Sequence, residues 1–124
     1  MVFFQKIGMF LAGGTGYVLL ELLWRGRSHI SMFFLGGGCF LALGRLWRKG
    51  ARLGLLPRMV LGGAVCTAGE LATGLAVNRD YSVWDYRDQR GNFLGQVCPA
   101  FMFLWLPLSL IGMGLYRWAQ KLWK

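Results

Sequence analysis

Apolar residues fill four long stretches of this chain, and short polar segments separate them. The stretches run from residue 7 to 24, 30 to 47, 59 to 77 and 99 to 118. Each holds about 18 to 20 residues, which is enough for a helix to cross roughly 30 Å of hydrocarbon at about 1.5 Å per residue. The pattern predicts an all-α integral membrane protein in which one domain, residues 1–124, contains four transmembrane helices.

The polar segment 78–98, between the third and fourth stretches, is far longer than a turn. It contains three arginines, three aspartates, two tyrosines and a tryptophan. Long polar loops held by a rigid scaffold often carry function, so we expect a structured outer loop that forms part of a site. The candidate binding residues in it are Asn78, Trp84, Asp85, Tyr86, Asn92 and Gln96.

Basic residues lie mainly at one end of the predicted bundle, nine against five at the other. Because basic loops tend to stay in the cytoplasm, we expect both termini there and the 78–98 loop on the outer face. The net charge of +9 then matches anionic inner-leaflet lipid as a partner, and no nucleic acid is expected. The nine residues are Lys6, Arg45, Arg48, Lys49, Arg52, Arg58, Arg117, Lys121 and Lys124.

Two glutamates, Glu21 and Glu70, lie within the apolar stretches. A charged side chain at the centre of a span costs about 2.5 to 3.5 kcal/mol on insertion scales, so each glutamate needs a reason. One interpretation is a structural tie to an arginine such as Arg25 or Arg79. The other is a site for a proton, a cation or a lipid headgroup, to which the neighbouring polar segment would contribute Trp24, Arg25, Ser28 and His29.

The chain also contains an apparent internal repeat. Gly13, Gly14, Glu21 and Leu22 recur 49 residues later as Gly62, Gly63, Glu70 and Leu71. Because the first and third helices point the same way, this pattern indicates two parallel-repeat helical hairpins. The two glutamates would then occupy equivalent positions around one axis.

Small residues and potential metal ligands give less information about function. The small-xxx-small spacing of Gly8, Ala12 and Gly16 suits close helix packing and suggests a homodimer. Three cysteines and a single histidine, His29, lack the spacing of a metal site, so neither a metal nor a cofactor is expected.

Several motifs together resemble a bacterial family of small integral membrane proteins, the type IV ABC-transporter family. They are Gly16-Tyr17, residues 21–32 (ELLWRGRSHISM), Gly37-Gly38, Glu70, Asn78, residues 84–86 (WDY), Asn92 and residues 95–98 (GQVC). The chain departs from the family pattern at Arg87, where the family has a serine. The resemblance implies a multi-pass permease of the bacterial cytoplasmic membrane. The chain has no phosphate-binding loop, so any ATPase would be a separate subunit.

Three functions remain open. The first is a transport protein or permease-like subunit with an outer-face polar site for a small solute, an ion or a lipid headgroup. The second is a non-catalytic membrane partner subunit of a larger complex, with a separate ATPase or permease. The third, for which the case is weaker, is an outer-face enzyme in which His29, oriented by Asp85, activates Ser28 or Cys98.

Overall fold

The described part of the chain folds into four α-helices. A computed structural model describes residues 3–49 and 52–122, and Lys124, counted above among the basic residues, lies outside these ranges. The helices are α1 (Phe3–Arg25), α2 (Ile30–Lys49), α3 (Leu55–Val77) and α4 (Pro99–Leu122). Each is long and apolar enough to cross a membrane. The predicted all-α class with four membrane-spanning helices is therefore confirmed.

The helices extend beyond the predicted apolar stretches. α3 begins at Leu55 rather than at residue 59, and α4 continues to Leu122 rather than ending at residue 118. The reason is that apolarity marks only the part of a helix inside hydrocarbon. Arginine and lysine are good helix formers whose long side chains carry the charge towards water. Pro57 lies in the first turn of α3, where a missing N–H group costs little.

Close packing between paired helices depends on glycine. A Cβ atom on Gly13 would overlap the Phe40 side chain, and one on Gly62 would overlap Ser109 and Met113. Gly13 thus brings α1 against α2, and Gly62 brings α3 against α4. Small residues permit this approach where lipid offers no hydrophobic drive for association. Each of the two glycines lies against the helix that follows its own.

α2 is the central helix of the bundle. It packs against α1, α3 and α4, whereas α1 has at most marginal contact with α3 and α4 within the described ranges. The main apolar core lies between α2, α3, α4 and the polar loop. Its buried members are Met32, Leu35, Cys39, Leu43, Cys66, Val83, Trp84, Trp105 and Met113.

The two ends of the bundle differ in chemistry. We call the end that carries residues 26–29 and 78–98 the loop end, and the opposite end the basic end. At the basic end the Trp47 ring lies between two guanidinium groups, 4.3 Å from Arg58 and 5.8 Å from Arg117. Cation–π contacts of this kind hold positive charge on an aromatic face. The two glutamates within the helices, Glu21 and Glu70, both lie towards the loop end.

Candidate functional site

Asn78 organises the polar loop from a fully buried position just after α3. Its Nδ2 donates to the Trp84 carbonyl oxygen at 2.7 Å and to Gln96 Oε1 at 2.9 Å. Its Oδ1 accepts from the backbone N–H groups of Val83 and Trp84, at 2.8 and 3.2 Å. One side chain therefore satisfies buried backbone groups that this irregular segment could not pair by regular structure.

Gln96 completes this arrangement from the far end of the loop. It is 2% exposed, and its Nε2 donates to the Asn78 carbonyl oxygen at 3.0 Å. Its own carbonyl oxygen accepts from the Trp84 indole N–H at 2.8 Å. A Cβ atom on Gly74 would collide with Gln96 Oε1, so the glycine in α3 makes room for the amide. The loop is thereby folded back onto the end of α3.

The outer part of the loop faces solvent. The Asp85 carboxylate accepts from Arg87 Nε at 2.9 Å and Nη2 at 2.8 Å. The hydrogen bonds from Arg87 lower the pKa of Asp85 to about 2. Asn92 closes a turn, because its Nδ2 donates to the carbonyl oxygens of Arg87 and Gln89 and its Oδ1 accepts from the Gly95 N–H. These side chains shape the loop through hydrogen bonds within it.

A cavity of about 220 Å³ lies beneath the loop, between the helices at the loop end. A water molecule takes up about 30 Å³ in the liquid, so the space suits a molecule of several heavy atoms. All four helices and the loop contribute to the wall. Three lining residues are charged, six are aromatic and four are aliphatic or thioether. They are Glu21, Arg25 and Glu70; Tyr17, Trp24, Trp84, Tyr86, Phe101 and Trp105; and Leu20, Met32, Leu104 and Leu108.

Glu21 and Arg25 form an ion pair on one wall. Arg25 Nε lies 2.6 Å from Glu21 Oε2, and the residues are one turn apart on α1. A second guanidinium nitrogen of Arg25 donates to the Val83 carbonyl oxygen at 3.0 Å. Arg25 therefore neutralises Glu21 and also fastens the loop to the end of α1.

Glu70 lies on the opposite wall, and its polar partners differ from those of Glu21. It is 6% exposed and has no ion-pair partner among the described residues. The Tyr86 hydroxyl lies 3.5 Å from its Oε2, and the Trp105 side chain also donates to the carboxyl group. Burial, followed by the nearby Glu70 carboxylate, raises the pKa of Tyr86, which keeps its hydroxyl protonated as a donor. Glu70 is thus held by neutral donors alone.

Aromatic rings form much of the remaining wall. The rings of Tyr86 and Phe101 stack with centroids 4.7 Å apart and planes 9° from parallel. Tyr17 and Trp105 lie 5.8 Å apart on facing helices. Trp84 is fixed by its hydrogen bond to the loop backbone. The rings are held by each other and by the fold, so the cavity is preformed.

The cavity opens to one side. Leu20 on α1 and Leu104 on α4 line it and are both 44% exposed, and Trp24 on α1 is 75% exposed. α1 and α4 are also the helices that make little contact with each other. The opening therefore lies between α1 and α4, on the side that a bilayer would cover.

Half of the sequence-predicted site residues line this cavity, and half do not. Glu21, Trp24, Arg25, Glu70, Trp84 and Tyr86 line it. Asn78 and Gln96 are buried in the loop framework behind it, and Asp85 and Asn92 belong to the exposed outer turns. The hydrogen bonds of Asp85, Asn92 and Gln96 go to the loop itself.

His29 and Ser28 also lie away from the cavity wall. His29 Nδ1 accepts from the Ser31 N–H at 3.1 Å and lies 2.8 Å from Ser31 Oγ, so it caps the start of α2. The hydrogen bonds of Asp85 go to Arg87. The pairing of His29 with Asp85 that an enzyme would need is absent from the hydrogen bonds of the described residues.

Sequence reasoning missed three aromatic members of the wall: Tyr17, Phe101 and Trp105. A signal for two of them was present. Tyr17 is one turn before Glu21 on the same face of α1. Trp105 is six residues into α4, about 9 Å from its loop end, a depth at which tryptophan is unusual because membrane proteins concentrate it at the interface.

Metal binding finds no support in these residues. Within residues 3–49 and 52–122, no three His, Cys, Asp or Glu side chains cluster closely enough to hold a metal ion. The cysteines Cys39, Cys66 and Cys98 are free and buried. What the arrangement can do is hold a small molecule between a buried carboxylate and aromatic faces.

Comparison with known proteins places the chain in a family. No match was found among curated proteins or among solved structures. The profile of one protein family, described as "Putative ABC-transporter type IV", matches residues 9–123, which is nearly the whole chain. The chain therefore belongs to this ABC-transporter type IV family of membrane proteins.

Proposed function

We propose that this membrane transport protein is a permease-like subunit and that its loop-end cavity binds a small solute, an ion or a lipid headgroup. The observation that carries the proposal is Glu70, a carboxylate 6% exposed, inside a membrane-spanning helix and facing a cavity without an ion-pair partner among the described residues. A glutamate that only tied helices together would have a cation beside it, as Glu21 has. Acidic residues within spans usually mark the path of a substrate or ion.

The proposed orientation places the loop end outside the cell and both termini in the cytoplasm of a bacterial cytoplasmic membrane. It rests on the excess of Lys and Arg at the basic end. A membrane-impermeant thiol reagent added to intact cells should label a Ser82→Cys variant and leave an Arg52→Cys variant unlabelled. The native cysteines are buried, which keeps the background low. The reverse labelling pattern would overturn the orientation.

A ligand screen on purified protein in nanodiscs tests the function. We expect at least one small solute to raise the thermal unfolding temperature and to cross proteoliposome membranes faster than it crosses protein-free liposomes. A Leu108→Trp variant fills the cavity, and Leu115→Trp adds the same bulk at an exposed position of α4. Only Leu108→Trp should abolish the stabilisation. Equal responses of the two variants, or no solute with any effect, would contradict the proposal.

A second candidate function is that of a non-catalytic partner subunit, and the basic end favours it. Arg45, Arg48 and Arg117 leave this end strongly cationic, so an acidic ATPase or permease subunit could dock there. Isolation from native membranes in mild detergent should then yield a larger complex that Arg48→Glu disrupts.

A homodimer through the Gly8, Ala12 and Gly16 face is a further proposal, because Gly16 has open space around it. Cross-linking at Ala12→Cys would test it.

A further inference from the structure

We propose that the loop-end cavity binds an organic monocation, with a quaternary ammonium group held against Glu70 and the surrounding aromatic rings. The inference rests on the proposed function, which assigns a solute to this cavity, and it names the chemical class of that solute. Charge, wall chemistry and route of entry each support it.

With Glu70 ionised, the charged groups of the cavity add up to one negative charge. Glu21 and Glu70 contribute two carboxylates, and Arg25 contributes one guanidinium group, which is bound to Glu21 at 2.6 Å. Glu70 is thereby left with neutral hydrogen-bond donors, Tyr86 and Trp105. A buried carboxylate is costly unless a counter-charge accompanies it. A single positive charge on the ligand would supply one.

The rings around Glu70 favour a weakly hydrated cation. Trp84, Tyr86 and Trp105 all line the cavity, and the faces of tryptophan and tyrosine attract ammonium groups within about 6 Å of the ring centre. The Trp84 ring is fixed by its hydrogen bond and the Tyr86 ring by stacking on Phe101, while the Trp105 ring lies against Tyr17. Preformed aromatic walls beside a carboxylate are the usual setting for recognition of quaternary ammonium groups.

Inorganic ions and anions fit the same wall poorly. A hard metal cation needs about six oxygen ligands or more, and the wall offers few besides the two carboxylates. An anion would have to use Arg25, which already binds Glu21 and the Val83 carbonyl oxygen. It would also meet the uncompensated Glu70 carboxylate. Both exclusions leave an organic cation as the class that the cavity suits.

The opening between α1 and α4 admits the ligand from the bilayer side. Leu20 and Leu104 border it, so a molecule with an ammonium head and an apolar tail could enter with its tail in lipid. The ammonium group could therefore belong to a free amphiphile or solute, or to the headgroup of a lipid. The chemistry recognised is the same in both cases.

The direct test measures binding of choline chloride to the full chain in phosphatidylglycerol nanodiscs, with tryptophan fluorescence and calorimetry as readouts. The matched control ligand is 3,3-dimethyl-1-butanol, which has the shape of choline and no charge. We expect choline to bind at least tenfold more tightly than the alcohol. Equal binding of the two, or tighter binding of acetate than of choline, would overturn the inference. This comparison uses the unaltered protein and needs no variant to fold.

Variants then locate the site. Glu70→Gln should weaken choline binding at least tenfold and leave binding of the alcohol unchanged, whereas Asp80→Asn, at an exposed aspartate bonded to Ser82, should change neither. If Glu70→Gln fails to fold, Trp105→Leu gives the same test of the wall. Undiminished choline binding in a folded Glu70→Gln or Trp105→Leu protein would place the cation elsewhere and refute the assignment.

Lipid composition separates the two sources of the ammonium group. In phosphatidylcholine nanodiscs, a headgroup site would already be filled, so added choline would lose its effect and phosphatidylcholine would remain bound in native mass spectra. A site for a free solute would bind choline equally in both lipids. Either result supports a monocation site. If choline is inert and another solute of the ligand screen stabilises the protein, the inference fails and the proposed function stands, whereas inertness of every solute removes both.

Discussion

The two helical hairpins each contain one glutamate, and the partners of that glutamate differ between them. In the α1–α2 hairpin, Glu21 is followed one turn later by Arg25, which neutralises it at 2.6 Å. In the α3–α4 hairpin, the residue one turn after Glu70 is Gly74, which admits Gln96 of the polar loop instead of supplying a cation. The glutamate is therefore ion-paired in one hairpin and has no ion-pair partner among the described residues in the other.

The connections of the hairpins differ in the same sense. Residues 26–29 form a short turn between α1 and α2, whereas residues 78–98 fold over the end of the bundle. The long loop carries Trp84 and Tyr86 to the cavity that both glutamates line. The hairpin whose glutamate lacks a local ion pair is therefore also the one whose loop contributes residues to the cavity wall.

Asn78→Ala should have the largest effect, because it breaks the loop of the second hairpin only. It removes four hydrogen bonds and leaves buried groups of Val83, Trp84 and Gln96 unpaired. At about 1 to 3 kcal/mol for each unsatisfied group, the free energy of unfolding should fall by roughly 3 kcal/mol or more. Chemical unfolding in detergent measures it. Asn92→Ala, at an exposed turn, is the control, and an equal loss in both variants would contradict the role of Asn78.

Neutralising the two glutamates should have opposite effects on stability. Glu21→Gln leaves the largely buried Arg25 without its partner, so we expect a loss of about 1 to 3 kcal/mol. Glu70→Gln removes an unpaired buried charge and keeps an amide that can accept a hydrogen bond, so stability should hold or rise. Unfolding curves of both variants and of the Glu21→Gln/Arg25→Gln double variant measure the difference. Equal losses for the two single variants would mean that Glu70 is also a tie.

Gly74→Ala tests the position that distinguishes the hairpins. Alanine in place of glycine normally stabilises a helix by about 0.5 to 1 kcal/mol, and Gly114→Ala in α4, which meets open space, should do so. At Gly74 the new Cβ atom meets Gln96 Oε1 and Trp84, so we expect a net loss of about 1 to 2 kcal/mol. Thermal unfolding of the two variants side by side is the measurement. A gain at both positions would show that the loop does not press on α3 there.

The ion pair of Asp85 with Arg87 should have the smallest effect. Hydrogen bonds from Arg87 hold the pKa of Asp85 at about 2, below the value of about 3.9 in an unfolded chain. A lowered carboxyl pKa contributes stability above the unfolded value and loses it as the pH falls through the folded value. Asp85→Asn should therefore lower stability only slightly at neutral pH, because the ion pair is exposed to solvent, and it should reduce the acid sensitivity below about pH 4. A marked loss of stability or of choline binding at pH 7 would contradict this prediction and indicate that Asp85 contributes to the binding site.

Much of the fold followed from the pattern of the sequence, because membrane insertion imposes length and apolarity on each helix. At the basic end the predicted apolar stretches are shorter than the helices, because hydropathy does not detect a helical turn that continues into water. Glu21 and Glu70 were identified because charge in a span is unusual, and Arg25 was identified as a polar neighbour and possible partner of Glu21. Trp24, Trp84 and Tyr86 also line the cavity as predicted candidates.

Three predicted site residues lie outside the cavity because their hydrogen bonds are made within the loop. Asn78, Gln96 and Asn92 are polar side chains whose hydrogen-bonding capacity is used up by nearby backbone, and a sequence does not reveal which acceptors an amide will find. Trp105 was missed because its place in the cavity wall depends on packing between helices. Its ring joins the site through the packing of α4 against α2 and α3, a tertiary relation that periodicity within one helix does not contain.

The most direct measurement of the central claim, that the unpaired Glu70 makes the loop-end cavity a cation site, is a crystal structure with (2-bromoethyl)trimethylammonium. The account predicts an anomalous bromine peak inside the cavity lined by Glu70, Tyr86 and Trp105, and no such peak in crystals of Glu70→Gln. A peak in the cavity of both proteins, or a peak only at another place on the chain, would contradict it.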